Sequence, residues 1–281
     1  ELTLTSRECG LPGDQRAAMC GVPYHAYEAY VARLIDRGYK VAICEQVEDP
    51  KEAKGLVDRE VVRVITPGTV LESGMLEEGR NNYIAVVFEQ DGQYGCAFAD
   101  ISTGEVRACQ IPAGLPLLQN EMSRFAPREV LLGGAVHESA PLRVFLRAEL
   151  RCAVSEYPFS SVDPGWCARA LPAQFGARDL AILGLDKKPA LVVALGALMG
   201  YLAQTQKRGM ECLRMLEIYA AEEYMTLDAS ARRNLELVRT MRAGEKRGTL
   251  LWVLDETCTA MGKRLLRMWV EKPLLSLPRI T

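Results

Sequence analysis

Residues 83–111 contain three apolar segments separated by two short turn sequences. The first segment is followed by Asp91-Gly92, a dipeptide that favours the tight turn of a β-hairpin. The second is followed by Ser102-Thr103-Gly104, another turn sequence. Because turns this short reverse the chain direction, the pattern predicts three consecutive antiparallel strands.

Alternating helical and strand patterns follow these strands. Residues 115–125 have the apolar spacing of a helix, residues 129–132 are a short apolar strand, and residues 141–149 indicate another helix. Segments 166–176 and 179–185 are typical of short helices. This order predicts a mixed α/β domain, which we place at residues 83–188.

A second α/β pattern lies nearer the amino end, in residues 20–50. Tyr27, Val31 and Leu34 recur at the spacing of one helical face. Residues 41–44 form a short apolar run, which predicts a strand covered on both faces. A helix packed on a sheet is therefore expected here.

The remaining boundaries follow from changes in composition. Residues 1–70, which open on the alternating strand pattern of residues 1–7 and include a β-branched strand at 60–65, are expected to form part of a mixed-sheet α/β domain. Residues 71–82 become acidic and contain glycine, so we expect a linker there. Residues 189–281 are expected to be mainly helical. The fold class is thus α/β followed by mostly α.

The apolar run of residues 190–203 predicts a buried helix, because it is shorter than the roughly 20 residues of a membrane span. Thr226 or Asp228 can cap a helix that reaches residue 239, and Thr259 can cap another. The apolar residues expected on the covered faces of these two helices are Leu227, Ala231, Leu235 and Val238, then Met261, Leu265, Leu266 and Trp269. We also expect both chain ends to be cut within larger domains. The strand pattern of residues 1–7 begins without a lead-in, and no element at the carboxyl end covers these helix faces.

Composition excludes several protein classes. Hydrophobic residues at 49% and charged residues at 25% are typical of a globular protein. The nine cysteines are scattered without a Cys-x-x-Cys pair, which favours reduced thiols over a disulfide framework or a zinc site. No signal-peptide pattern is visible, so a cytoplasmic protein is expected.

Charge is unevenly distributed along the chain. Residues 189–281 hold 14 basic and 10 acidic side chains, whereas the whole chain has a net charge of −2. Arg232, Arg233 and Arg239 are candidates for contacts with DNA phosphates. Arginines that are merely solvated on a helix surface are the alternative.

Two other constellations invite a catalytic interpretation. His25 lies near Cys20, but no orienting third group is present, so an imidazole that fixes the start of a helix is favoured. Gly262-Lys263 is not a phosphate-binding loop, because Thr257 occupies the position of the required glycine and Arg264 that of the Ser/Thr.

Asp100, with Glu89, Asp91 and Glu105 nearby in sequence, could form a two-metal carboxylate cluster. Acids flanking a turn are common without any such role. A stand-alone metal-dependent nuclease built on residues 83–188 therefore remains an alternative function.

Several segments resemble the MutS family of bacterial DNA mismatch-recognition proteins. The resemblance is carried by GVPYHAYEAYVARLIDRGYKVAICEQVEDP at 21–50, DREVVRVITPGT at 58–69, FGARDL at 175–180, and the block from YMTLDASARRNLELVRTMRAGEKRGTLLW to VEKPLL at 224–275. It implies that residues 1–70 are the carboxyl-side part of a mismatch-binding domain. Residues 83–188 would be a connector domain with RNase-H-like topology, and residues 189–281 the first helices of a core or lever.

The resemblance also implies a parent protein that is a homodimer, binds mispaired duplex DNA, binds ATP with Mg²⁺, and recruits a MutL-type repair partner through its connector. The family's Phe-x-Glu mismatch probe has no counterpart here, since Phe88-Glu89-Gln90 lies in the connector. No catalytic, metal-binding or cofactor-binding residue is therefore carried over, and no cofactor is expected in this chain. A scaffold and connector is the expected function, and a non-catalytic partner-docking module is a further alternative.

Overall fold

The computed structural model describes residues 7–10, 16–19, 22–47, 58–77, 79–206, 210–221 and 224–280. Its strands are β1 (Arg7–Gly10), β2 (Arg16–Met19), β3 (Val41–Gln46), β4 (Arg59–Ile65), β5 (Ile84–Gln90), β6 (Gln93–Asp100), β7 (Glu105–Pro112), β8 (Glu129–Gly133), β9 (Ala153–Ser155) and β10 (Met215–Ile218). Its α-helices are α1 (Tyr27–Asp36), α2 (Leu115–Phe125), α3 (Ala140–Ala148), α4 (Pro164–Gln174), α5 (Pro189–Gln206), α6 (Ala229–Asn234), α7 (Leu250–Leu254), α8 (Ala260–Glu271) and α9 (Leu277–Ile280). None of the helices in these ranges is long and apolar enough to cross a membrane.

A six-stranded mixed sheet in the order β10-β7-β6-β5-β8-β9 forms the centre of the molecule. Strands β5, β6 and β7 are consecutive and antiparallel, as the sequence predicts. The β5–β6 turn has positive φ at Asp91 (51°) and Gly92 (69°), the backbone that a two-residue hairpin with the right twist requires. Strands β8, β9 and β10 pair in parallel with β5, β8 and β7 respectively.

Helices cover both faces of this sheet, and alternate residues of each strand serve the two cores. Along β5, Ile84 and Val86 pack with helices α4 and α5, whereas Ala85 and Val87 pack with α2 and α3. Helix α5 carries no charged residue and is buried over most of its circumference. The prediction of a buried helix at 190–203 is therefore confirmed.

The boundary predicted between residues 188 and 189 does not coincide with a change in packing. Helix α5 packs against β5 and β6, and β10 adds an edge strand to the same sheet through the register Met215↔Glu105. The sheet therefore extends to residue 218, because its edge is completed by a strand from beyond α5. Residues 179–185, predicted as a short helix, form turns instead.

Near the amino end, β3 and β4 form an antiparallel pair with α1 against one face. The half-buried Val41 and Ile43 of β3 pack on a small core that includes Val31 and Ile35 of α1. The next residues of β3 are exposed, so the prediction of a strand covered on both faces is wrong. A two-stranded sheet with one helix has only one covered face. Residues 1–6 of the predicted first strand lie outside the described residues.

The carboxyl-side helices are shorter and more exposed than the sequence predicts. Asp228 caps α6, but the helix ends at Asn234, and Glu236 follows in the left-handed region with φ 46°. Leu235 is consequently 58% exposed. Thr259 caps α8 as predicted, yet Met261, Leu265 and Trp269 are exposed, which contradicts their expected burial.

Candidate functional site

Glu129, the first residue of β8, is fully buried where the two α/β units meet. One unit contributes the turn that follows β4, and the other contributes β8, β9 and α5. A carboxylate excluded from water is stable only when hydrogen-bond donors surround it. The donors around Glu129 therefore define how the units are joined.

Both carboxylate oxygens of Glu129 accept hydrogen bonds from separate segments of the chain. Oε2 accepts from the Thr66 hydroxyl and from the backbone N–H of Gly68 at 3.0 Å. Oε1 accepts from the hydroxyl of Ser155 on β9 and from that of Tyr201 on α5 at 2.6 Å. The ammonium of Lys40 lies 4.0 Å from Oε1. One side chain thus ties the turn after β4 to a strand and a helix of the central sheet.

The turn that reaches Glu129 is built by its own side chains. Thr69 Oγ1 accepts from the backbone N–H of Thr66 at 3.0 Å, and the backbone N–H of Thr69 donates back to the carbonyl of Thr66 at 3.0 Å. Gly68 has no room for a side chain, because an added Cβ would lie 2.7 Å from Ile84 Cβ and 2.9 Å from Glu129 Cβ. Glycine allows the two backbones to approach this closely.

Further polar contacts continue the junction along β4 and α5. Arg63 on β4 donates to Gln206 Oε1 at 3.1 Å and forms an ion pair with Glu72 at 2.7 Å. Gln206, at the end of α5, donates to the carbonyl of Val64 at 3.3 Å. Polar contacts therefore hold the two units together, and helix α5 contributes Tyr201 and Gln206 to them.

Burial, followed by the neighbouring charge of Glu129, raises the pKa of the Tyr201 hydroxyl well above its usual value. The hydroxyl therefore keeps its proton and remains a hydrogen-bond donor. Tyr201 also has the ammonium of Lys40 5.2 Å from its ring centroid. The arrangement is suited to holding two units in a fixed relation, and no bond-breaking step follows from it.

Asp100 and Glu105 lie opposite each other in the β6–β7 register, but the other two acids that suggested a nuclease, Glu89 and Asp91, do not join them. Asp100 is fully buried and accepts from the backbone N–H groups of Asn82 (3.1 Å) and Ser102 (2.9 Å) and from the Ser102 hydroxyl. Glu89 is paired with Tyr94, six residues from Asp100 along β6, so at roughly 3.3 Å per residue Glu89 lies roughly 20 Å away, with Asp91 just beyond it. The described residues contain no group of three or more His, Cys, Asp or Glu side chains that could hold a metal. The geometry does not support the nuclease alternative.

His25 and Gly262-Lys263 also have ordinary structural settings. His25 is exposed just before α1, and no side-chain hydrogen bond caps the start of that helix. The expectation that the His25 imidazole fixes the start of the helix is therefore not supported. Cys20 lies outside the described residues. Gly262 belongs to the first turn of α8, where its N–H donates to Thr259 Oγ1 at 3.0 Å.

The three candidate phosphate contacts differ in their surroundings. The guanidinium of Arg232 donates to the carbonyls of Leu227 (2.9 Å) and Glu271 (3.0 Å), so it joins α6 to the end of α8. Arg233 and Arg239 are exposed. Of the three candidates, Arg233 and Arg239 can reach an external phosphate without loss of the hydrogen bonds that hold Arg232.

Sequence reasoning missed Glu129 and Tyr201. The signal was an acidic residue directly before a continuously apolar strand, and a tyrosine hydroxyl within a charge-free helix. Each of these two residues places a polar atom in a segment whose apolar sequence predicts burial. Buried polar atoms need hydrogen-bond partners.

Comparison with known families covers nearly the whole chain. Residues 1–74 match the family model described as MutS domain I, residues 82–215 match MutS domain II, and residues 230–281 match MutS domain III. The second match includes α5 and the start of β10, in agreement with their place in the central sheet.

Curated relatives lead to the same assignment. The DNA mismatch repair protein MutS of Ruminiclostridium cellulolyticum is 46% identical over 278 residues, which cover 98% of this chain and 31% of that protein. The proteins of the same name from Symbiobacterium thermophilum and Acetivibrio thermocellus are 44% and 41% identical over 282 and 279 residues, 32% of each. The chain spans about a third of the length of these relatives. With three successive domain matches and this level of identity, the chain belongs to the MutS family.

Proposed function

We propose that this chain is the scaffold and connector of a DNA mismatch-repair protein, and that it holds the domain I portion in a fixed orientation on domain II. The observation that carries this proposal is the buried carboxylate of Glu129, which bonds to Thr66 and Gly68 on one side and to Ser155 and Tyr201 on the other. Such a junction transmits a displacement of one unit to the other because neither can move without leaving a buried charge unpaired.

The whole protein is proposed to bind mispaired duplex DNA and ATP with Mg²⁺, to act as a cytoplasmic homodimer, and to recruit a MutL-type partner through domain II. Membership in the family and the names of the relatives support this proposal. We further propose an RNase-H-like connector, which the strand order β7-β6-β5-β8-β9 with helices on both faces supports. The helices beyond β10 would begin the core or lever.

The 281 residues are expected to bind DNA without preference for a mismatch. Phe88-Glu89-Gln90 is the segment whose sequence is most similar to a Phe-x-Glu probe. The Phe88 ring is stacked on Phe159 with centroids 5.5 Å apart, so it is packed within the domain. Fluorescence anisotropy with the 281-residue chain, at one moderate salt concentration, compares a homoduplex with a G·T duplex. Equal affinities are expected, and a clear preference for the G·T duplex would contradict the proposal.

The same titration tests the candidate phosphate contacts. Arg233→Gln with Arg239→Gln is expected to weaken binding to both duplexes equally and to lower the salt dependence by about one ion per lost contact. Arg178→Gln changes an exposed arginine that follows α4 in the central sheet domain. It is the matched control and should bind DNA as the starting chain does. Loss of affinity for only one duplex would mean that these arginines read DNA structure.

A further inference from the structure

A cavity of about 230 Å³ lies between the central sheet domain and helix α8. The carboxyl end of α2 and the start of β7, with the segment before β5, form one wall, and α8 forms the other. Six cationic side chains line it, from Arg80, Arg107, Arg124, Arg264, Arg267 and Lys272. The carboxylates that line it belong to Glu105 and Glu271.

These carboxylates are already engaged. Glu105 is paired with Arg107, and Glu271 lies 3.4 Å from Arg267 in an i,i+4 pair on α8. Two acids outside the lining also contribute: Glu217 pairs with Arg107 at 3.1 Å, and Glu121, on α2, pairs with Arg124. With those included, the cations still outnumber the carboxylates, so the cavity keeps an excess of positive charge.

Lys272 is the most exceptional of these cations. Its side chain is only 8% exposed, and its ammonium lies 3.9 Å from the centroid of the Phe125 ring. Among the residues that the structure describes, no carboxylate or carbonyl is hydrogen-bonded to this ammonium. A cation–π contact compensates only partly for the hydration that a buried ammonium loses.

Arg124 adds a second incompletely satisfied donor to the same cavity. Its guanidinium is stacked 4.0 Å from the ring centroid of Tyr224 and donates to Glu121 at 3.1 Å. Its Nε is buried and has no hydrogen-bond acceptor among the described residues. Two buried cationic side chains, from different elements, thus have unused capacity to bind an anion.

Burial, and to a smaller extent neighbouring positive charge, alters the acid–base properties of the lining. Burial, with smaller contributions from Arg107 and Arg124 that Glu105 and Glu121 oppose, lowers the pKa of Lys272 to about 7. Burial and the charge of Arg267 lower the pKa of Arg80, with Glu77 opposing. An anion in the cavity would reverse both effects, because it stabilises the charged forms.

We propose that this cavity binds a small phosphate anion, such as inorganic phosphate or pyrophosphate, which bridges the sheet domain and α8. Guanidinium groups match phosphate oxygens with paired N–H donors, and an ammonium adds a point charge. The bound anion supplies the acceptors that Lys272 and Arg124 lack, so it fastens α8 to the central domain. This site is separate from the DNA and ATP binding proposed above and does not depend on either.

The test uses the 281-residue chain in a phosphate-free, Mg²⁺-free buffer with chloride added to keep the ionic strength constant. Thermal unfolding and isothermal titration calorimetry are followed as phosphate or pyrophosphate is added. The expected result is a saturable rise in Tm and one binding site per chain. Because an anion that binds only the folded state stabilises it, the two measurements must agree.

Lys272→Met separates binding from folding. The variant removes a buried charge and is expected to be at least as stable as the starting chain without ligand, yet to bind the anion at least about tenfold more weakly, the effect of losing one charged hydrogen bond. Lys272→Arg keeps the charge and should retain most of the affinity. Lys187→Met, on an exposed lysine, is the matched control and should bind as the starting chain does.

Three outcomes overturn the proposal. The first is the absence of saturable binding of both anions. The second is binding that Lys272→Met leaves unchanged, which would mean an adventitious surface site. In the third outcome, neither small anion binds, but a duplex oligonucleotide binds and Lys272→Met abolishes that binding. The cavity would then hold a phosphate of the DNA backbone.

Discussion

The hydroxyl of Tyr201 donates a 2.6 Å hydrogen bond to Oε1 of Glu129, so helix α5 is fixed to the strand that begins 72 residues earlier. The acceptor is fully buried, and the opposite oxygen of the same carboxylate holds the turn that follows β4. Helix α5 therefore has two roles. It packs in the core against the central sheet, and it also helps to join the central domain to the unit formed by α1, β3 and β4.

Glu129→Gln is expected to lower the free energy of unfolding by about 2–4 kcal/mol, since it replaces a charged acceptor in a fully buried site. The carboxylate accepts from four donors, whereas the amide NH₂ that replaces one oxygen can only donate. Urea denaturation followed by circular dichroism measures the difference. Glu138→Gln, an exposed acid, is the matched control and should stay within about 0.5 kcal/mol. Equal stabilities of the two variants would show that the junction contributes little.

Gly68→Ala is expected to destabilise the chain by about 1–3 kcal/mol, because the new methyl group would overlap Ile84 Cβ and Glu129 Cβ. The backbone of the turn would have to move away from β8, which also weakens its hydrogen bond to Glu129. Gly74→Ala adds the same methyl group where no atom lies within 4 Å and serves as the control. We expect Gly68→Ala to lower the urea midpoint and Gly74→Ala to leave it unchanged. Similar midpoints for the two variants would contradict the close approach of the turn to β5 and β8.

Lys272 is expected to make stability depend on pH in the alkaline range. The pKa of its ammonium is about 7 in the folded chain, against about 10.4 in an unfolded one. Between these values the unfolded chain binds more protons, so the free energy of unfolding rises with pH, by on the order of 5 kcal/mol over the whole interval. Below pH 7 both states are protonated, and the cost of the buried charge is fully present.

The measurement is urea denaturation of the starting chain and of Lys272→Met at intervals from pH 6 to pH 10. The variant is expected to be more stable at pH 6 and to lose the rise assigned to Lys272, whereas Lys187→Met should keep it. Parallel pH profiles for all three proteins would mean that Lys272 stays charged in the folded state.

The cysteines are expected to react with iodoacetamide at very different rates. Cys96 is buried opposite Cys109 in the β6–β7 register, and its hydrogen bond with Cys109 together with burial raises its pKa. Burial and the charge of Glu129 raise the pKa of Cys152. Cys44 and Cys258 are exposed. Peptide mass spectrometry after a short labelling pulse at pH 8 should find the exposed thiols alkylated and the buried ones protected until urea is added. Fast labelling of Cys96 would show that the sheet opens locally.

The antiparallel strands could be predicted because their turns are encoded locally. Asp91-Gly92 supplies the two residues with positive φ, and the flanking apolar runs have the right length. Strand β10 could not be assigned, since Met215 pairs with Glu105 across 110 positions of sequence and four residues carry little pattern of their own. Tertiary pairing decided that element.

The errors at the carboxyl side have a different cause. Apolar periodicity in α8 predicts a helix correctly, but it does not say which surface covers Trp269, which is 62% exposed. The junction at Glu129 was missed because its hydrogen-bond partners lie 26 to 72 residues away. Only the need to satisfy a buried acid pointed to it.

The late arrival of β10 affects how the chain folds during synthesis. Strand β7 becomes available at residue 112, but its neighbour is complete only at residue 218, and at roughly 5 to 20 residues per second this leaves an interval of several seconds or more. During that time the unpaired edge of β7 is open to pairing with other chains. The uncovered face of β5 and β6 adds to the hazard until helix α5 has emerged. A chain interrupted between residues 189 and 214 is consequently expected to aggregate, even though the three-stranded meander at its centre is intact.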